Sequence, residues 1–241
     1  MKTHDAMEIQ KKLLEIWNKN YINELPVIIK ERGFNYSIND EQKDILITGI
    51  NPSFRKGDEN GNTCFDFKSI VKDNKYDTYW TSLKNLVSNG TTNLLNDTAC
   101  LDIFYFRERD QKFLTKNILA NTGGLTFVAE QLNLTQHIIE EIIKPKVIIV
   151  KNKESAAYWG KYADKGILWM GYELEFLENT AFGELYKIKG LINSTERISP
   201  EIEKTNIENS LILFTVHINQ YTKKEKRPTP NFINELLLRN K

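Results

Sequence analysis

The sequence has few cysteines, almost no excess charge of either sign and no long apolar run. Its two cysteines, Cys64 and Cys100, show no close pairing pattern, which is typical of a reducing cytoplasm and argues against a disulfide scaffold. The formal net charge is +1, so charge alone neither indicates nor excludes a nucleic-acid partner, because a local basic patch is sufficient. No apolar run could span a membrane, and the first residues do not resemble a signal peptide. We therefore expect a cytoplasmic protein without membrane contacts.

Several standard catalytic motifs are also missing. The sequence contains no G-x-G-x-x-G after a predicted strand, no G-x-x-x-x-G-K-[ST] and no G-x-S-x-G, which argues against dinucleotide, P-loop and α/β-hydrolase chemistry. The three histidines are far apart and lack cysteine or acidic neighbours at ligand spacing, so we expect no metal site and no cofactor. Cys64 could be a nucleophile, although a buried, inert thiol is the commoner role for a free cysteine.

The residues that are present predict a globular α/β chain. Hydrophobic residues make up 40% and charged residues 27% of the 241 positions, which suits a folded domain rather than a disordered chain. Apolar strand-like segments alternate with helical patterns, which predicts a three-layer α/β/α fold with a four-stranded, mainly parallel sheet. We expect a single domain over 1–241, with a helical region at 6–32 and a small β insertion at about 167–191. The four segments are 45–47, 98–106, 146–150 and 211–216.

The most informative stretch is 44–58. It begins as an apolar segment typical of a buried strand and then breaks at Gly49 and Pro52. Pro52 forces Asn51 towards an extended conformation, and Gly49 lets the backbone approach whatever lies at the strand end. The sequence therefore predicts a polar side chain, Asn51, at the carboxyl end of a buried strand, where open α/β sheets bind ligands. An ordinary strand-to-loop turn is the structural alternative.

Polar side chains follow the other predicted strands as well, and parallel strands bring these ends to one edge of the sheet. The residues concerned are Asn51, Asp102, Tyr105, Lys151, Asn152, His217 and Asn219. A histidine at a strand end can stabilise an oxyanion that forms in a transition state. A partly buried histidine that hydrogen-bonds to backbone is the alternative role for His217. We expect Asn51, Phe65, Asp102 and His217 to line one pocket.

Five segments resemble the motifs of a known enzyme family, and they occur in the family's order. They are Gly-Ile-Asn-Pro-Ser at 49–53, Asn-Thr-Cys-Phe at 62–65, Tyr-Trp-Thr-Ser-Leu at 79–83, the strand, turn and helix start at 150–156, and the segment 215–221. On these segments the chain resembles the uracil-DNA glycosylase superfamily. It is most similar to the mismatch-specific and single-strand-selective branches, in which Asn replaces Asp in the first motif. The resemblance implies the fold of that family and removal of uracil or a related deaminated or modified base from DNA.

The resemblance also implies roles for individual residues. Asn51 would position the attacking water, and His217 would stabilise negative charge on the leaving base; these are the expected catalytic residues. Phe65 would stack on an extruded base, and Asp102 or Tyr105 would face its polar edge. The full set expected to bind substrate is Gly49, Ser53, Phe65, Asp102, Tyr105 and Asn219.

A basic segment follows the last motif and suits contacts with phosphates. With Lys151, which follows the third strand, the residues expected to contact DNA are Lys151, Tyr221, Lys223, Lys224, Lys226 and Arg227. In isolation, a solvated surface loop is the usual role of such a charge run. The expected partner is DNA, bound by a monomer.

Three departures from the family pattern leave a second hypothesis open. Ser53 replaces the Tyr or Gly of the best-known branches, His217 lacks the following Pro-Ser, and Asp102 stands where most branches carry Asn. An ionised Asp102 would accept a hydrogen bond from uracil N3–H but repel its O4. The first hypothesis is a DNA glycosylase acting in base excision repair. The second is a non-catalytic or divergent member of the fold that binds a nucleobase, nucleotide or nucleic acid.

Overall fold

The computed structural model describes residues 2–39, 41–73, 76–77, 79–110, 112–219 and 221–240. Within these residues the strands, in chain order, are β1 (Asn35–Ser37), β2 (Ile45–Gly49), β3 (Thr63–Phe65), β4 (Thr98–Asp102), β5 (Val147–Val150), β6 (Tyr172–Asn179), β7 (Gly183–Leu191) and β8 (Leu211–Thr215). The α-helices are α1 (Lys2–Trp17), α2 (Val27–Arg32), α3 (Phe67–Lys72), α4 (Trp80–Val87), α5 (Gly124–His137) and α6 (Pro230–Arg239). Helix α5 continues as a wider π-helical segment over Ile138–Ile143.

The main sheet has six strands in the order β4-β2-β5-β8-β7-β6. Strands β4, β2, β5 and β8 are parallel, and the β6–β7 hairpin continues the sheet in antiparallel orientation beyond β8. The prediction of an α/β fold with a mainly parallel sheet is confirmed, but the predicted number of four strands is wrong. The hairpin expected as a small insertion pairs with β8 from Gly183↔Thr215 to Lys187↔Leu211, so it belongs to the same sheet.

Both faces of the parallel strands are covered, which is why their sequences are almost continuously apolar. All five residues of β2 are buried. Leu46 packs into a cluster with residues of α1 and α5, whereas Ile45 and Ile47 pack into a second cluster with residues of α3, α4 and α6. Since successive side chains of a strand point to opposite faces, the two clusters lie on opposite sides of the sheet and the architecture has three layers.

A second, two-stranded parallel sheet forms beside the carboxyl edge of the main sheet. Strand β1 pairs with β3 through Asn35↔Thr63 and Ser37↔Phe65. This pairing fixes Phe65 at the edge where β2 and β4 end, and the segment that joins β2 to β3 therefore spans that edge. Within the described residues, no helix is long and apolar enough to cross a membrane.

Candidate functional site

A cavity of about 270 Å³ lies where β2 and β4 end. Three of the expected substrate-binding residues line it: Ser53, Phe65 and Asp102. The cavity is also lined by side chains for which the sequence predicts no binding role. They include Asn35, Arg55, Tyr79, Trp80 and Arg107.

Aromatic rings form one wall of the cavity. The rings of Phe65 and Trp80 lie 5.0 Å apart at an interplanar angle of 58°, and Tyr79 meets Trp80 edge-on at 4.9 Å. Such offset and edge-to-face contacts are the favourable geometries for aromatic pairs. The wall is therefore a rigid apolar surface made of inclined rings, on which a planar ligand could stack against the face of one ring.

The start of α4 holds this wall in place through Asp77. Its Oδ1 accepts hydrogen bonds from the backbone N–H groups of Tyr79 and Trp80 at 2.8 and 2.9 Å, which satisfies donors left unpaired at a helix N-terminus. The guanidinium of Arg55 meets the same carboxylate with two contacts, at 2.7 and 3.4 Å. Burial alone would raise the pKa of Asp77. The Arg55 hydrogen bond and the two N–H donors outweigh burial, so the pKa of Asp77 is lowered.

Asp102 lies at the base of the cavity, next to Gly49. A Cβ atom on Gly49 would come within 2.2 Å of Asp102 Oδ1 and 2.5 Å of Lys151 Nζ, so only glycine leaves space for these two side chains. Lys151 Nζ lies 3.9 Å from Asp102 Oδ1. Burial raises the pKa of Asp102, while the charge of Lys151 and a hydrogen bond from the Gly49 N–H act against that rise.

Lys151 does not occupy the position expected of a phosphate-binding residue. It is 4% exposed, its Nζ donates to the Tyr79 hydroxyl at 2.8 Å, and the ammonium lies 4.6 Å from the centroid of the Tyr79 ring. The ammonium is therefore enclosed by protein groups and does not face solvent, as a residue that contacts phosphates usually does.

Asn51 and His217 lie at the same edge of the sheet, but neither lines the cavity. They follow β2 and β8, which are separated by β5, so two strand spacings, or roughly 10 Å, lie between these strands. The cavity is therefore lined by Phe65 and Asp102 but not by Asn51 or His217, and a shared site for all four residues stays a prediction. For His217 the reason is that β8 lies on the far side of β5 from β2 and β4, whose ends form the cavity. Asn51 does follow β2, but its side-chain amide is bonded to the loop after β4.

The side-chain amide of Asn51 joins two loops. Its Nδ2 donates to the carbonyl of Pro52 at 3.0 Å and to that of Glu108 at 2.6 Å, and the Glu108 N–H donates to the Pro52 carbonyl at 2.9 Å. These contacts fix the loop after β2 against the loop after β4. They also fix the direction of the Asn51 side chain.

His217 lies two residues after the end of β8 and is exposed. Partial burial and the nearby positive charge of Lys151 hold the pKa of His217 below its usual value. The imidazole is therefore neutral at pH 7, and a neutral imidazole can still donate one hydrogen bond. The turn that follows is closed by the Thr222 hydroxyl, which donates to the His217 carbonyl at 2.7 Å.

Tyr105 and Asn219 do not line the cavity and are both hydrogen-bonded within the protein. Tyr105 is 3% exposed, and its hydroxyl accepts a hydrogen bond from Thr135 of α5 at 3.0 Å. It points into the core because it follows β4 on the face that α5 covers. Asn219 Oδ1 accepts from the N–H groups of Tyr221 and Thr222 at 2.8 and 3.2 Å, so this side chain holds the turn.

The basic segment 221–227 is exposed. Tyr221 is 83% exposed, and the side chains of Lys223, Lys224 and Lys226 face solvent. Arg227 is partly buried, and its Nε donates to the Thr222 carbonyl at 2.6 Å. Three lysines and one tyrosine therefore project from this loop in a way that would allow contact with a large anionic partner.

Arg107 is the main residue of the cavity that sequence reasoning missed. It is 6% exposed, and one of its terminal nitrogens donates to the carbonyls of Arg32, Glu59 and Gly61 at 3.2, 2.8 and 3.0 Å. These bonds hold the loop between β2 and β3 over the cavity. In the sequence Arg107 lies in the charged run 107–110, which looks like an ordinary solvated loop, so no local signal marks it.

The described residues contain no group of three or more histidine, cysteine or acidic side chains that could hold a metal ion. In comparisons with known proteins, no family model matches the chain, and no curated protein matches it significantly.

Proposed function

We propose that the protein is a DNA glycosylase, which hydrolyses the N-glycosidic bond of uracil or a related deaminated or modified base in DNA. The observation that carries the proposal is the cavity itself. An aromatic wall made by Phe65 and Trp80 faces a site where the buried carboxylate of Asp102 is available. A flat apolar surface with a polar group at its edge is what a pocket for a planar heterocycle requires.

Base recognition in this proposal uses stacking and one hydrogen bond. A nucleotide extruded from the helix would place its base against the ring of Phe65, and stacking on an aromatic ring tolerates any base. In its ionised form, the Asp102 carboxylate would accept a hydrogen bond from a ring N–H or an exocyclic amine. Ser53 at the cavity wall supplies a hydroxyl that can donate or accept.

The proposed chemistry uses Asn51 and His217. Because the Nδ2 of Asn51 donates to two backbone carbonyls, its Oδ1 is the atom left to accept a hydrogen bond from an attacking water. His217, neutral at pH 7, would donate a hydrogen bond to the base as negative charge develops on it. Both residues lie at the carboxyl edge of the sheet, one on each side of β5.

The exposed loop 221–227 supports a nucleic acid rather than a free base as the substrate. Three solvated lysines, which follow His217 in the chain, can displace counterions from phosphates. The exposed ring of Tyr221 could occupy the space that an extruded base leaves in the stack.

A second candidate function is binding of a nucleobase or nucleotide without hydrolysis. It is favoured by one observation: neither Asn51 nor His217 lines the cavity that would hold the base. A protein of this kind would retain the stacking wall and Asp102 but release no base.

Base release from defined oligonucleotides separates the two candidates. Labelled single- and double-stranded oligonucleotides carrying uracil, hypoxanthine or xanthine are incubated with the protein and then treated with alkali, which cleaves abasic sites. We expect strand cleavage with at least one of these bases. Asn51→Ala and His217→Ala should each lower the rate by about 10²-fold or more, because they act on the water and on the developing charge.

The matched control is His137→Ala. His137 lies at the end of α5 and contacts Glu201, 2.8 Å away, so its loss should leave base release unchanged. If the unaltered protein bound these oligonucleotides but cleaved none, the hydrolytic proposal would fail and the binding function would stand. A rate of release that Asn51→Ala left unchanged would remove the proposed role of this residue.

A further inference from the structure

Lys151 carries a positive charge inside the protein, between the cavity and the segment that follows β8. Its Nζ has the Tyr79 hydroxyl at 2.8 Å and the Asp102 carboxylate at 3.9 Å. With 4% of its surface exposed, this charge is poorly screened by solvent, so it acts on neighbouring groups more strongly than a surface lysine would.

The backbone of Lys151 lies between the two catalytic segments. Its N–H donates to the Thr48 carbonyl of β2 at 3.0 Å, and its carbonyl accepts from the N–H of Ile218 at 3.3 Å. Thr48 comes just before Gly49, and Ile218 directly follows His217. The side chain of Lys151 contacts Asp102 and Tyr79, which line the cavity, and its main chain bonds to the segment that carries His217. Lys151 therefore contacts both the cavity and the His217 segment.

The titratable groups that face Lys151 come from three elements. Strand β4 contributes Asp102 and Cys100, the start of α4 contributes Tyr79, and the segment after β8 contributes His217. Burial and the charge of Asp102 raise the pKa of Cys100 to about 12, and burial places the pKa of Tyr79 well above its usual value. Both groups are therefore uncharged near neutral pH. Arg55 is a second cation near Tyr79, and its guanidinium lies 5.6 Å from the centroid of the Tyr79 ring.

Asp102 and His217 are thus the two neighbours whose charge depends on Lys151. A positive charge favours an ionised carboxylate and disfavours a protonated imidazole. Burial raises the pKa of Asp102, and the charge of Lys151 acts against that rise. Burial lowers the pKa of His217, and the charge of Lys151 lowers it further. Loss of the ammonium would therefore favour protonation at both groups.

We propose that Lys151 is a positioning residue, whose buried ammonium favours the ionised form of Asp102 at the cavity and the neutral form of His217 at the neighbouring strand end. The use of these charge states in base release rests on the proposed function, but the coupling itself does not. Lys151 would then set the lower end of the pH range in which the site works, because Asp102 must be ionised to accept a hydrogen bond from a base.

The test compares Lys151→Met with Lys153→Met, in which an exposed lysine two positions away loses its charge. Carboxyl and imidazole signals are followed by NMR against pH in the protein alone. We expect the titrations of Asp102 and His217 to move to higher pH in Lys151→Met and to stay unchanged in Lys153→Met. Lys151→Arg, which keeps the charge, should restore both titrations towards their original positions.

The double variant Lys151→Met/Asp102→Asn covers the case in which the single variant does not fold. It removes both members of the buried pair, which is better tolerated than leaving one charge alone. His217 should again titrate at higher pH than in the Asp102→Asn single variant. A folded variant without the lysine in which His217 titrates where it did before would overturn the proposal.

A second readout uses the pH dependence of base release. In Lys151→Met the loss of rate on acidification should begin at higher pH, with a drop of about tenfold at the acid end of the range. If the unaltered protein releases no base, the glycosylase function fails, while the two NMR titrations still decide the role of Lys151. An unchanged pH profile together with unchanged titrations would reject that role.

Discussion

The carboxyl edge of the sheet has two ends that hold their polar side chains in different ways. At the end formed by β2 and β4, Asp102, Lys151 and Arg107 are almost enclosed, and each is held by neighbouring groups of the protein. At the β8 end, Tyr221 and the three lysines of the loop face solvent, and the turn before them is held by hydrogen bonds of Asn219, Thr222 and Arg227. The first end is preorganised to hold a small group, and the second is open to a large one.

This contrast has a direct consequence for mutation. Side chains at the enclosed end contribute to the free energy of unfolding, because each is part of a buried network. Side chains at the open end can be removed with little effect on folding. Substitutions at the two ends should therefore differ in their effect on stability, and the largest effect is expected at the enclosed end.

Gly49→Ala should be the most damaging single change. The new methyl group would have to lie within 2.2 Å of Asp102 Oδ1 and 2.5 Å of Lys151 Nζ, so the two charged side chains must separate in the interior. We expect a loss of about 3 kcal/mol in the free energy of unfolding, measured with urea. Gly190→Ala is the control, since a Cβ there would have only Glu173 nearby, at 3.9 Å. Equal effects of the two variants would show that the enclosed end is not tightly packed.

Asp77→Ala should have an intermediate effect. It removes the acceptor for two N–H groups at the start of α4 and the partner of Arg55, so we expect a loss of about 1–2 kcal/mol in the free energy of unfolding at pH 7. The pKa of Asp77 is lower in the folded protein than in the unfolded chain. Its charge therefore stabilises the fold above the unfolded pKa, about 3.9, and this contribution disappears as the pH falls through the folded pKa.

Urea unfolding of the unaltered protein, Asp77→Ala and Asp77→Asn at several pH values checks this prediction. Asparagine is a good N-cap residue, so Asp77→Asn should retain most of the stability at pH 7. The difference between it and the unaltered protein should vanish in acid. A difference that grew as the pH fell would contradict the stated role of the carboxylate.

Replacement of Lys223, Lys224 and Lys226 by alanine should have the smallest effect on folding, within about 0.5 kcal/mol. Oligonucleotide affinity should fall, and its dependence on salt should weaken by about one unit of slope for each phosphate that is no longer bound. The control replaces Lys11, Lys19 and Lys30, which are also exposed, and changes the net charge equally. If both triple variants bound oligonucleotide equally weakly, net charge rather than this loop would account for the binding.

The central strands could be predicted from sequence because burial on both faces leaves a continuous apolar run, as in Ile45–Ile47 and Val147–Val150. The strands β1 and β3 could not be predicted from sequence. Each has only three residues, which is too short for a periodic pattern, and their pairing depends on contacts between distant parts of the chain. The hairpin was visible through its glycines and alternation, but its attachment to β8 has no local signal.

Prediction of the candidate site has the same limit: positions that depend on contacts between distant parts of the chain could not be predicted. Asp102 could be placed because it lies at the end of a predicted apolar strand, whereas Ser53 and Phe65 could be placed through the resemblance of 49–53 and 62–65 to family motifs. The enclosure of Lys151 could not, since it depends on Tyr79 and Gly49, which are distant in sequence. A lysine after a strand is usually solvated. The order of strands also decides which ends are neighbours, and it separates His217 from the cavity that β2 and β4 form.

The central position of β2 also affects when the edge of the sheet can form. Ile45 of β2 pairs with Thr98 of β4 on one side and with Val147 of β5 on the other. Strand β8, which pairs with β5, begins only at Leu211 of the sequence. A nascent chain must therefore keep an apolar strand unpaired until much of its length has been made, and pairing between distant segments is slow. The segment that carries His217 is the last to reach the edge, so synthesis completes the β2–β4 end first and the β8 end last.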